Sequence, residues 1–231
     1  MSVAIVTGVS RGFGKAVVQV LLDAGWHVVG DARDVSAVQM SGAENLDVLA
    51  GDILDEAHLQ ELVERARDRG GLDLLVNNAG ALGPSPLPRL RDVEPAVFAE
   101  LFRVNTVAQL RLIQLALPVL ADGACVVNVT SDAGVEHYEG WGAYGATKAA
   151  LDLVTGVLGV EVPGVRWYAL DPGDIRTDMH QAAFPGEDIS DRADPADRAP
   201  AVLRLVEGSL PSGRYRAEEL LFEKSETGPL A

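Results

Sequence analysis

Short apolar runs alternate with amphipathic helical patterns along the 231-residue chain, and this alternation constrains the fold more than any other feature. Continuous apolar runs are typical of strands that are buried on both faces of a parallel sheet. Most of these runs are followed by a segment with helical spacing of its apolar residues, as expected when helices cover both faces. The sequence therefore predicts one α/β domain over residues 1–231, with a doubly wound parallel sheet of six or seven strands.

Element boundaries follow from the apolar runs and from the glycines and prolines that end the helical patterns. The predicted strands cover residues 3–6, 26–30, 46–50, 72–76, 124–129 and 165–170. The predicted helices cover residues 12–24, 55–69, 95–117, 141–159 and 199–207. Residues 180–198, rich in Asp, Pro and Ala, are predicted as a loop, residues 218–223 as a weak edge strand, and residues 224–231 as a loose tail.

Composition and charge argue against several classes of function. The net charge is −15, and a surface of that sign repels phosphate backbones, so we expect no nucleic-acid partner. No stretch approaches about 18 uninterrupted apolar residues and the N-terminus has no basic leader, so we expect no membrane span, no signal peptide and a cytoplasmic location. Cys125 is the only cysteine and lies in an apolar run, as a core residue does. The 4 histidines are widely spaced, so we expect no metal site.

A glycine-rich turn follows the first predicted strand and has the sequence Thr7-Gly8-Val9-Ser10-Arg11-Gly12-Phe13-Gly14. Glycines let the backbone approach a pyrophosphate closely, and the next helix offers free N–H groups and the positive end of its dipole. The spacing is G-x-x-x-G-x-G rather than the common G-x-G-x-x-G, and an ordinary strand-to-helix turn is the alternative interpretation. Because the turn lies in the first βα unit, we favour dinucleotide binding.

Tyr144 and Lys148 are four residues apart in a predicted helix, so they lie on one face of it. A nearby ammonium favours the phenolate, and Lys148 is therefore expected to lower the pKa of Tyr144 from about 10. Tyr144 would then donate and accept protons near neutral pH. Ser131 follows the fifth predicted strand, where its hydroxyl could donate to a carbonyl oxygen; for an isolated serine, a helix or turn cap is the alternative role.

A second group of small and amide residues, Asn77-Asn78-Ala79-Gly80, ends the fourth predicted strand. The carboxyl ends of parallel strands form ligand crevices in doubly wound sheets. Asn and Gly also favour ordinary turns, so this segment by itself is a modest indication of a ligand site.

Together these segments resemble the short-chain dehydrogenase/reductase family, from Val3 to about Met179. The glycine turn resembles the family's cofactor turn, residues 77–80 resemble its sheet-stabilising motif, and residues 144–148 match its Tyr-x-x-x-Lys pair. The resemblance implies a Rossmann-like fold.

Three further positions carry the resemblance. Ser131 matches the family's catalytic serine, and Asn105, in Arg103-Val104-Asn105-Thr106, matches its helix asparagine. The segment Asp171-Pro172-Gly173-Asp174-Ile175-Arg176-Thr177 resembles the Pro-Gly segment that packs beside the nicotinamide.

By this resemblance, Tyr144 protonates the carbonyl oxygen in reduction and takes the proton back in oxidation. Lys148 binds the nicotinamide ribose and lowers the Tyr144 pKa, while Ser131 holds the carbonyl oxygen. Asn105 keeps a water that links Lys148 to solvent.

The resemblance also implies where a nicotinamide cofactor binds. Asp52 meets the adenine ring, and Thr177 and the Ile175 backbone hold the carboxamide. The expected cofactor contacts are Gly8, Ser10, Arg11, Gly12, Phe13, Gly14, Arg33, Asp52, Ile53, Asn78, Ala79, Gly80, Tyr144, Lys148, Pro172, Gly173, Ile175 and Thr177.

The end of the second strand indicates which cofactor is preferred. NAD-specific enzymes place an acidic residue there, where it binds the ribose 2′-hydroxyl; the position here is Ala32, followed by Arg33. Arg33 and Arg11 could pair with a 2′-phosphate, so we expect NADP(H) to be preferred, with NAD(H) possible. A slippage of one residue would place the Asp31 carboxylate at the ribose, and Arg33 could instead be a solvated loop cation.

The function expected from this resemblance is hydride transfer between NADP(H) and a small-molecule carbonyl or alcohol. Two alternatives remain: a catalytically silent cofactor-binding regulator, and an epimerase or dehydratase on the same fold. The intact set of Ser131, Tyr144, Lys148 and Asn105 weighs against the regulator, and the short substrate region weighs against the epimerase.

The remaining expectations concern the substrate pocket and the assembly. His137, Tyr138 and Trp141 are expected to line the pocket, and residues 180–198 to form its lid. That segment is acidic, which is typical of a solvated loop and would favour a neutral or cationic substrate if it closes. The two long helices, 95–117 and 141–159, are apolar on more than one side, so we expect a homodimer or homotetramer.

Overall fold

The computed structural model describes residues 1–36, 38 and 40–222, and these residues form a seven-stranded sheet. All six neighbouring strand pairs are parallel, in the order β3-β2-β1-β4-β5-β6-β7. The strands are β1 Val3–Val6, β2 His27–Ala32, β3 Leu46–Ala50, β4 Leu72–Asn77, β5 Leu120–Val129, β6 Arg166–Asp171 and β7 Gly213–Arg216. The predicted doubly wound α/β fold is confirmed.

Helices connect the strands and cover the sheet. They are α1 Gly12–Asp23, α2 Glu56–Asp68, α3 Pro95–Phe102, α4 Ala108–Ala116, α5 Gly142–Glu161, α6 Asp178–Ala183, α7 Pro195–Arg198, α8 Pro200–Glu207 and α9 Ala217–Phe222. Among the described residues, no helix combines the length and apolar character that crossing a membrane requires.

Strand β1 shows why the sheet is buried on both faces. Ala4 and Val6 belong to one core, with residues of α1 and α8, whereas Val3 and Ile5 belong to a second core, with residues of α2 and α4. Successive side chains of a strand point to opposite faces, so an uninterrupted apolar run requires a core on each side. Full burial of each large apolar side chain contributes about 1.5–3 kcal/mol.

The strand order places a crevice at the carboxyl ends of β1 and β4. The chain runs outward from β1 through β2 to β3, then returns to the other side of β1 with β4. The helices that follow β1 and β4 therefore leave on opposite faces, and such a reversal opens a ligand crevice at the strand ends. The glycine turn and residues 77–80 both lie at this edge.

Two predicted segments differ in the structure. Residues 180–198 contain the end of α6 and all of α7, whose N-caps are the side chains of Thr177 and Asp194. The prediction of an edge strand at residues 218–223 is wrong: the edge strand is Gly213–Arg216, and α9 follows it. Glu218 and Glu219 lie in the first turn of α9, where acidic side chains stabilise a helix. The predicted tail, residues 224–231, lies outside the described residues.

Candidate active site

The predicted catalytic pair lies on the buried face of α5. Tyr144 and Lys148 are 8% and 3% exposed, and the Lys148 Nζ lies 5.6 Å from the centroid of the Tyr144 ring. Lys148 Nζ donates a hydrogen bond to the Val129 carbonyl at 2.7 Å. The i, i+4 spacing therefore brings the two side chains together behind the carboxyl end of β5.

The electrostatics of this pair differ from the sequence-based expectation. Burial, assisted by the carboxylates of Asp171 and Asp132, raises the pKa of Tyr144 above its ordinary value instead of lowering it. Burial also lowers the pKa of Lys148 to about 8. Both groups favour their neutral forms because burial removes them from water. Without a cofactor, the attraction between the ammonium and the phenolate does not outweigh the cost of burying the two charges.

Ser131 lies at the end of β5 beside this pair, and a short helical turn, residues 132–134, packs it against α5. Its Oγ donates to Asp132 Oδ1 at 2.9 Å and accepts from Ala133 N at 3.2 Å. A β-carbon on Gly145 would lie 2.3 Å from the Ala133 carbonyl oxygen, so only glycine permits this approach of the turn to α5. Ser131, at the carboxyl end of β5, therefore caps the turn in this structure, as in the alternative role.

Asn105 lies in a π-helical turn, Arg103–Val107, that interrupts the predicted 95–117 helix between α3 and α4. Its side chain is fully buried, accepts from Ala81 N, and donates to the Ala81 carbonyl and to Thr147 Oγ1. Single π-helical turns often occur at functional sites. The π-helical turn at Asn105 links the segment after β4 to Thr147 of α5, the residue before Lys148.

The glycine turn is held by Asn78 from the end of β4. Asn78 Nδ2 donates to the carbonyls of Thr7 and Gly8, at 2.8 and 3.2 Å. A β-carbon on Gly14 would lie 2.3 Å from both Asn78 Nδ2 and Gly8 O. The N-cap of α1 is Arg11, whose side chain makes no cap hydrogen bond. The turn thus has the close packing and free helix N-terminus that a phosphate site needs.

The segment after β6 lies across the glycine turn. A β-carbon on Gly12 would contact Thr177 Cγ2 at 3.4 Å, and Arg11 pairs with Asp178 at 3.1 Å. Thr177 Oγ1 accepts from His180 N, so it caps α6 in this structure. The glycine turn, predicted to contact the pyrophosphate, and residues 171–177, predicted to contact the nicotinamide, therefore lie against each other.

At the end of β2 the structure separates the roles of Asp31 and Arg33. Asp31 is buried, and its carboxylate accepts from Gly8 N at 2.8 Å and contacts His58 Nε2 at 3.3 Å. Arg33 is exposed just beyond the strand and has no ion-pair partner in the described part of the chain. Asp52 follows β3 and is exposed; its Oδ1 accepts from Leu54 N.

Sequence reasoning missed Arg214 of β7. It donates to Asp152 Oδ2 at 3.2 Å, Asp171 Oδ2 at 2.9 Å and the Ser131 carbonyl at 3.1 Å. The residue thus joins α5, the start of the 171–177 segment and the serine. An arginine in a segment with no clear strand pattern gave no signal, because its partners are distant in sequence.

Aromatic side chains line the space in front of Tyr144. Trp141 packs edge-on against Tyr144 at 5.9 Å, and Phe184 of the 180–198 segment packs against Trp141 at 5.9 Å. Of the other predicted wall residues, Tyr138 donates to Asp132 Oδ2, and His137 is exposed. His137, Tyr138 and Trp141 also line a neighbouring groove of about 720 Å³ that does not include Tyr144.

One cysteine and two histidines outside this group are also buried. Cys125 is fully buried, and burial raises its pKa to about 11. His27 pairs with Asp47 at 3.0 Å, and His58 pairs with Asp31. No cluster of potential metal ligands occurs within the described residues.

Comparison with known proteins places this geometry in context. Residues 2–188 match the short chain dehydrogenase family. An uncharacterized oxidoreductase of Saccharomyces cerevisiae is 36% identical over 184 residues, which cover 77% of this chain and 72% of that protein. A benzil reductase ((S)-benzoin forming) of the same yeast is 33% identical over 243 residues, covering 99% and 88%. A short chain dehydrogenase of Shigella flexneri, solved with NADP, superimposes with a TM-score of 0.86 at 28% identity, covering 94% and 97%.

Proposed function

Since the chain belongs to the short-chain dehydrogenase/reductase family of oxidoreductases, we propose that it transfers hydride between NADP(H) and a carbonyl or alcohol, with Tyr144 as the general acid and base. The observation that carries the proposal is the buried Tyr144–Lys148 pair, with Lys148 Nζ 5.6 Å from the phenol ring. Burial of an ammonium is costly, and titratable groups perturbed by burial cluster at functional sites. A protein that only bound a cofactor would not need this pair, which weighs against a silent regulator.

The residues at the crevice fit a dinucleotide. Gly8 and Gly14 pack closely against Asn78 and have no side chains, so a ligand can approach the backbone of the turn. The N-terminus of α1 presents free N–H groups to the same place. Residues 8–14 would hold the pyrophosphate, residues 52–53 the adenine, and residues 172–177 the nicotinamide. When bound, the nicotinamide supplies or accepts the hydride.

Tyr144 supplies the proton in the reductive direction. Its raised pKa keeps the phenol neutral near pH 7, so a proton is available for the carbonyl oxygen as negative charge develops there. Lys148, protonated below its pKa of about 8, stabilises the phenolate that remains. Alcohol oxidation uses the same two groups in reverse.

Ser131 and Asn105 position the reacting groups. Ser131 accepts from Ala133 N and has one hydroxyl hydrogen, which it can share between Asp132 and a substrate oxygen. Asn105 fixes Ala81 and Thr147, and thereby fixes α5 relative to the end of β4. A water held near Asn105 would link Lys148 to solvent.

We assign NADP(H) as the preferred cofactor because Arg33 is exposed at the end of β2 and has no ion-pair partner among the described residues. A guanidinium can donate two parallel hydrogen bonds to one phosphate group. Arg11 pairs with Asp178 in this structure, so it would contribute only after breaking an exposed ion pair, which costs little. A related dehydrogenase solved with NADP supports the same choice.

The substrate we propose is a neutral aromatic ketone or diketone. Leu82 and Trp141 pack against Tyr144, and Phe184 packs against Trp141, so the surface near Tyr144 is aromatic and apolar. Three of the five acidic residues of segment 180–198 have local partners: Asp194 caps α7 and pairs with Arg176, Asp191 pairs with Arg192, and Asp188 accepts from Ser190 N. A relative that covers most of this chain is a benzil reductase, and benzil is an aromatic diketone.

NADPH oxidation against a panel of aryl ketones, aryl diketones, aliphatic ketones and quinones tests the function, with NADH in parallel. We expect turnover with NADPH, greatest for the aryl compounds. Absence of turnover with every carbonyl, together with intact NADPH binding, would favour the regulator. Turnover with NADH equal to or better than that with NADPH would refute the cofactor assignment.

A further inference from the structure

A buried carboxylate–imidazole pair lies beneath the segments expected to meet the cofactor's adenosine. Asp31 and His58 are 2% and 5% exposed, and His58 Nε2 lies 3.3 Å from Asp31 Oδ2. The pair joins the carboxyl end of β2 to the first turn of α2. Nothing in the proposed catalytic chemistry uses it, although buried titratable groups often mark functional sites.

Asp31 holds the first glycine of the phosphate turn. Its Oδ1 accepts from Gly8 N at 2.8 Å, and its backbone carbonyl accepts from Val9 N at 2.9 Å. Gly8 has φ +72, so no other residue adopts its conformation without strain. The side chain and backbone of Asp31 thus fix the turn at its first two positions.

His58 supports the other side of the same space. A β-carbon on Gly51 would lie 2.2 Å from His58 Nδ1, so the ring packs directly against the backbone that leads into Asp52 and Ile53. Gly51 N also donates to the Ala32 carbonyl at 3.1 Å. The pair therefore connects the ends of β1, β2 and β3.

The charges of Asp31 and His58 affect which group can bind at the 2′-position of the ribose. Asp31 is two residues before Arg33, about 7 Å along an extended chain, so the charge of its carboxylate can act on a phosphate bound by Arg33. An unpaired carboxylate would repel a dianionic phosphate far more than a hydroxyl. The hydrogen bond to Asp31 is the main cause that raises the pKa of His58, and the carboxylates of Glu61 and Asp55 add to it. Burial of His58 opposes this increase, but the net direction is upward, which favours the imidazolium form.

We propose that Asp31 and His58 are positioning residues for the adenosine half of the cofactor, and that the His58 cation, by neutralising Asp31, permits binding of a 2′-phosphate. The inference rests on the proposed NADP(H) function. It extends cofactor selection from exposed Arg33 to a buried pair that the cofactor need not touch.

The test measures binding by the resting protein rather than turnover. Isothermal titration calorimetry with NADPH and with NADH gives two dissociation constants for each variant. His58→Gln keeps a donor for Asp31 but removes the positive charge. We expect the NADPH dissociation constant to rise about tenfold and the NADH constant to change less than about threefold.

Rescue by a second substitution distinguishes charge from structure. Asp31→Asn keeps an acceptor for Gly8 N but removes the negative charge. In the Asp31→Asn/His58→Gln double variant we expect NADPH affinity to return to within about threefold of the wild type. A purely structural pair would give no such recovery.

The second His–Asp pair on β2 supplies a matched control. His27 Nε2 lies 3.0 Å from Asp47 Oδ2 and is also buried, but His27 is at the amino end of β2, away from the crevice. His27→Gln should leave the ratio of the two dissociation constants unchanged.

The outcomes are separable. If the wild type binds neither NADPH nor NADH, the proposed function fails. If it binds NADPH and His58→Gln weakens both cofactors equally, or neither, the inference fails while the function stands. If His58→Gln does not fold, Asp31→Asn decides: NADPH affinity equal to or above the wild type supports the inference, and a selective loss of NADPH affinity overturns it.

Discussion

Lys148 donates a hydrogen bond from Nζ to the carbonyl of Val129 at 2.7 Å, and this contact ties the predicted catalytic lysine to the end of β5. The amine is buried, and its pKa is lowered to about 8 from an ordinary value of 10.5. The resting protein therefore holds an ammonium at a cost, which the cofactor's ribose hydroxyls would offset on binding.

The free-energy cost of burying the Lys148 ammonium predicts that the stability of the folded protein depends on pH. Because the folded pKa of Lys148 is below the unfolded one, the unfolded state binds more protons between about pH 8 and 10.5. The free energy of unfolding, relative to a Lys148→Met variant, should rise by about 1.4 kcal/mol per pH unit there, about 3 kcal/mol in total. Urea unfolding of both proteins without cofactor measures the difference, in which other alkaline titrations cancel. A difference that stays flat from pH 7 to pH 11 would contradict the buried-ammonium account.

Gly14→Ala should damage both the fold and cofactor binding. Its β-carbon would lie 2.3 Å from Asn78 Nδ2 and from the backbone oxygen of Gly8, and backbone cannot move aside cheaply. We expect a loss of about 1–3 kcal/mol in unfolding free energy and NADPH binding weakened at least about tenfold. Gly156→Ala, in α5 with nothing within 4 Å of its β-carbon, is the control and should leave NADPH affinity unchanged. Equal behaviour of the two variants would refute the close-packed turn.

Much of the fold could be predicted from the sequence because its strands are buried on both faces. The runs at residues 3–6 and 46–50 have the predicted bounds, and four other strands differ by a few residues at their ends. The edge strand Gly213–Arg216 was missed because an edge strand with two arginines has no continuous apolar run. The helices α6 and α7 were missed because each is short and is started by a cap, Thr177 or Asp194, rather than by periodicity.

The proximity of Tyr144 and Lys148 could also be predicted, but the electrostatics of the pair could not. The i, i+4 rule brings Tyr144 and Lys148 together, whereas the pKa of each depends on burial and on Asp171, Asp132 and Asp152, which come from other segments. The Asp31–His58 pair was hidden for the same reason: its two members are 27 residues apart and meet only when β2 and α2 pack.

Arg33→Ala should separate the two cofactors. Removal of an exposed guanidinium next to a 2′-phosphate should raise the NADPH KM at least about tenfold while the NADH KM changes less than about twofold. Arg91→Ala, at another exposed arginine, is the control. Added salt should weaken NADPH binding by the wild type more than NADPH binding by Arg33→Ala. Salt screens the exposed contact between Arg33 and the 2′-phosphate, and the variant lacks that contact. An unchanged NADPH KM would remove Arg33 from the site.

Exposed apolar side chains on the outer face of α5 predict that the protein self-associates. Leu153 and Val160 are 70% and 82% exposed on this helix, and exposed apolar patches mark interfaces. We propose that this face pairs in a homodimer or homotetramer. Light scattering should give a multiple of the 24.4 kDa chain mass, and Leu153→Glu should shift it toward the monomer, whereas Leu90→Glu, at an exposed leucine off this helix, should not. A wild-type mass of one chain would refute the proposal.

The most direct test of the account is the Tyr144→Phe variant, assayed for NADPH binding by calorimetry and for carbonyl-dependent NADPH oxidation. Phe keeps the ring that packs against Trp141 and loses only the hydroxyl. We predict an NADPH dissociation constant within about twofold of the wild type and a kcat lower by about 100-fold or more. A variant that binds NADPH and retains kcat within about threefold of the wild type would show that the proton comes from elsewhere, and the central claim would be wrong.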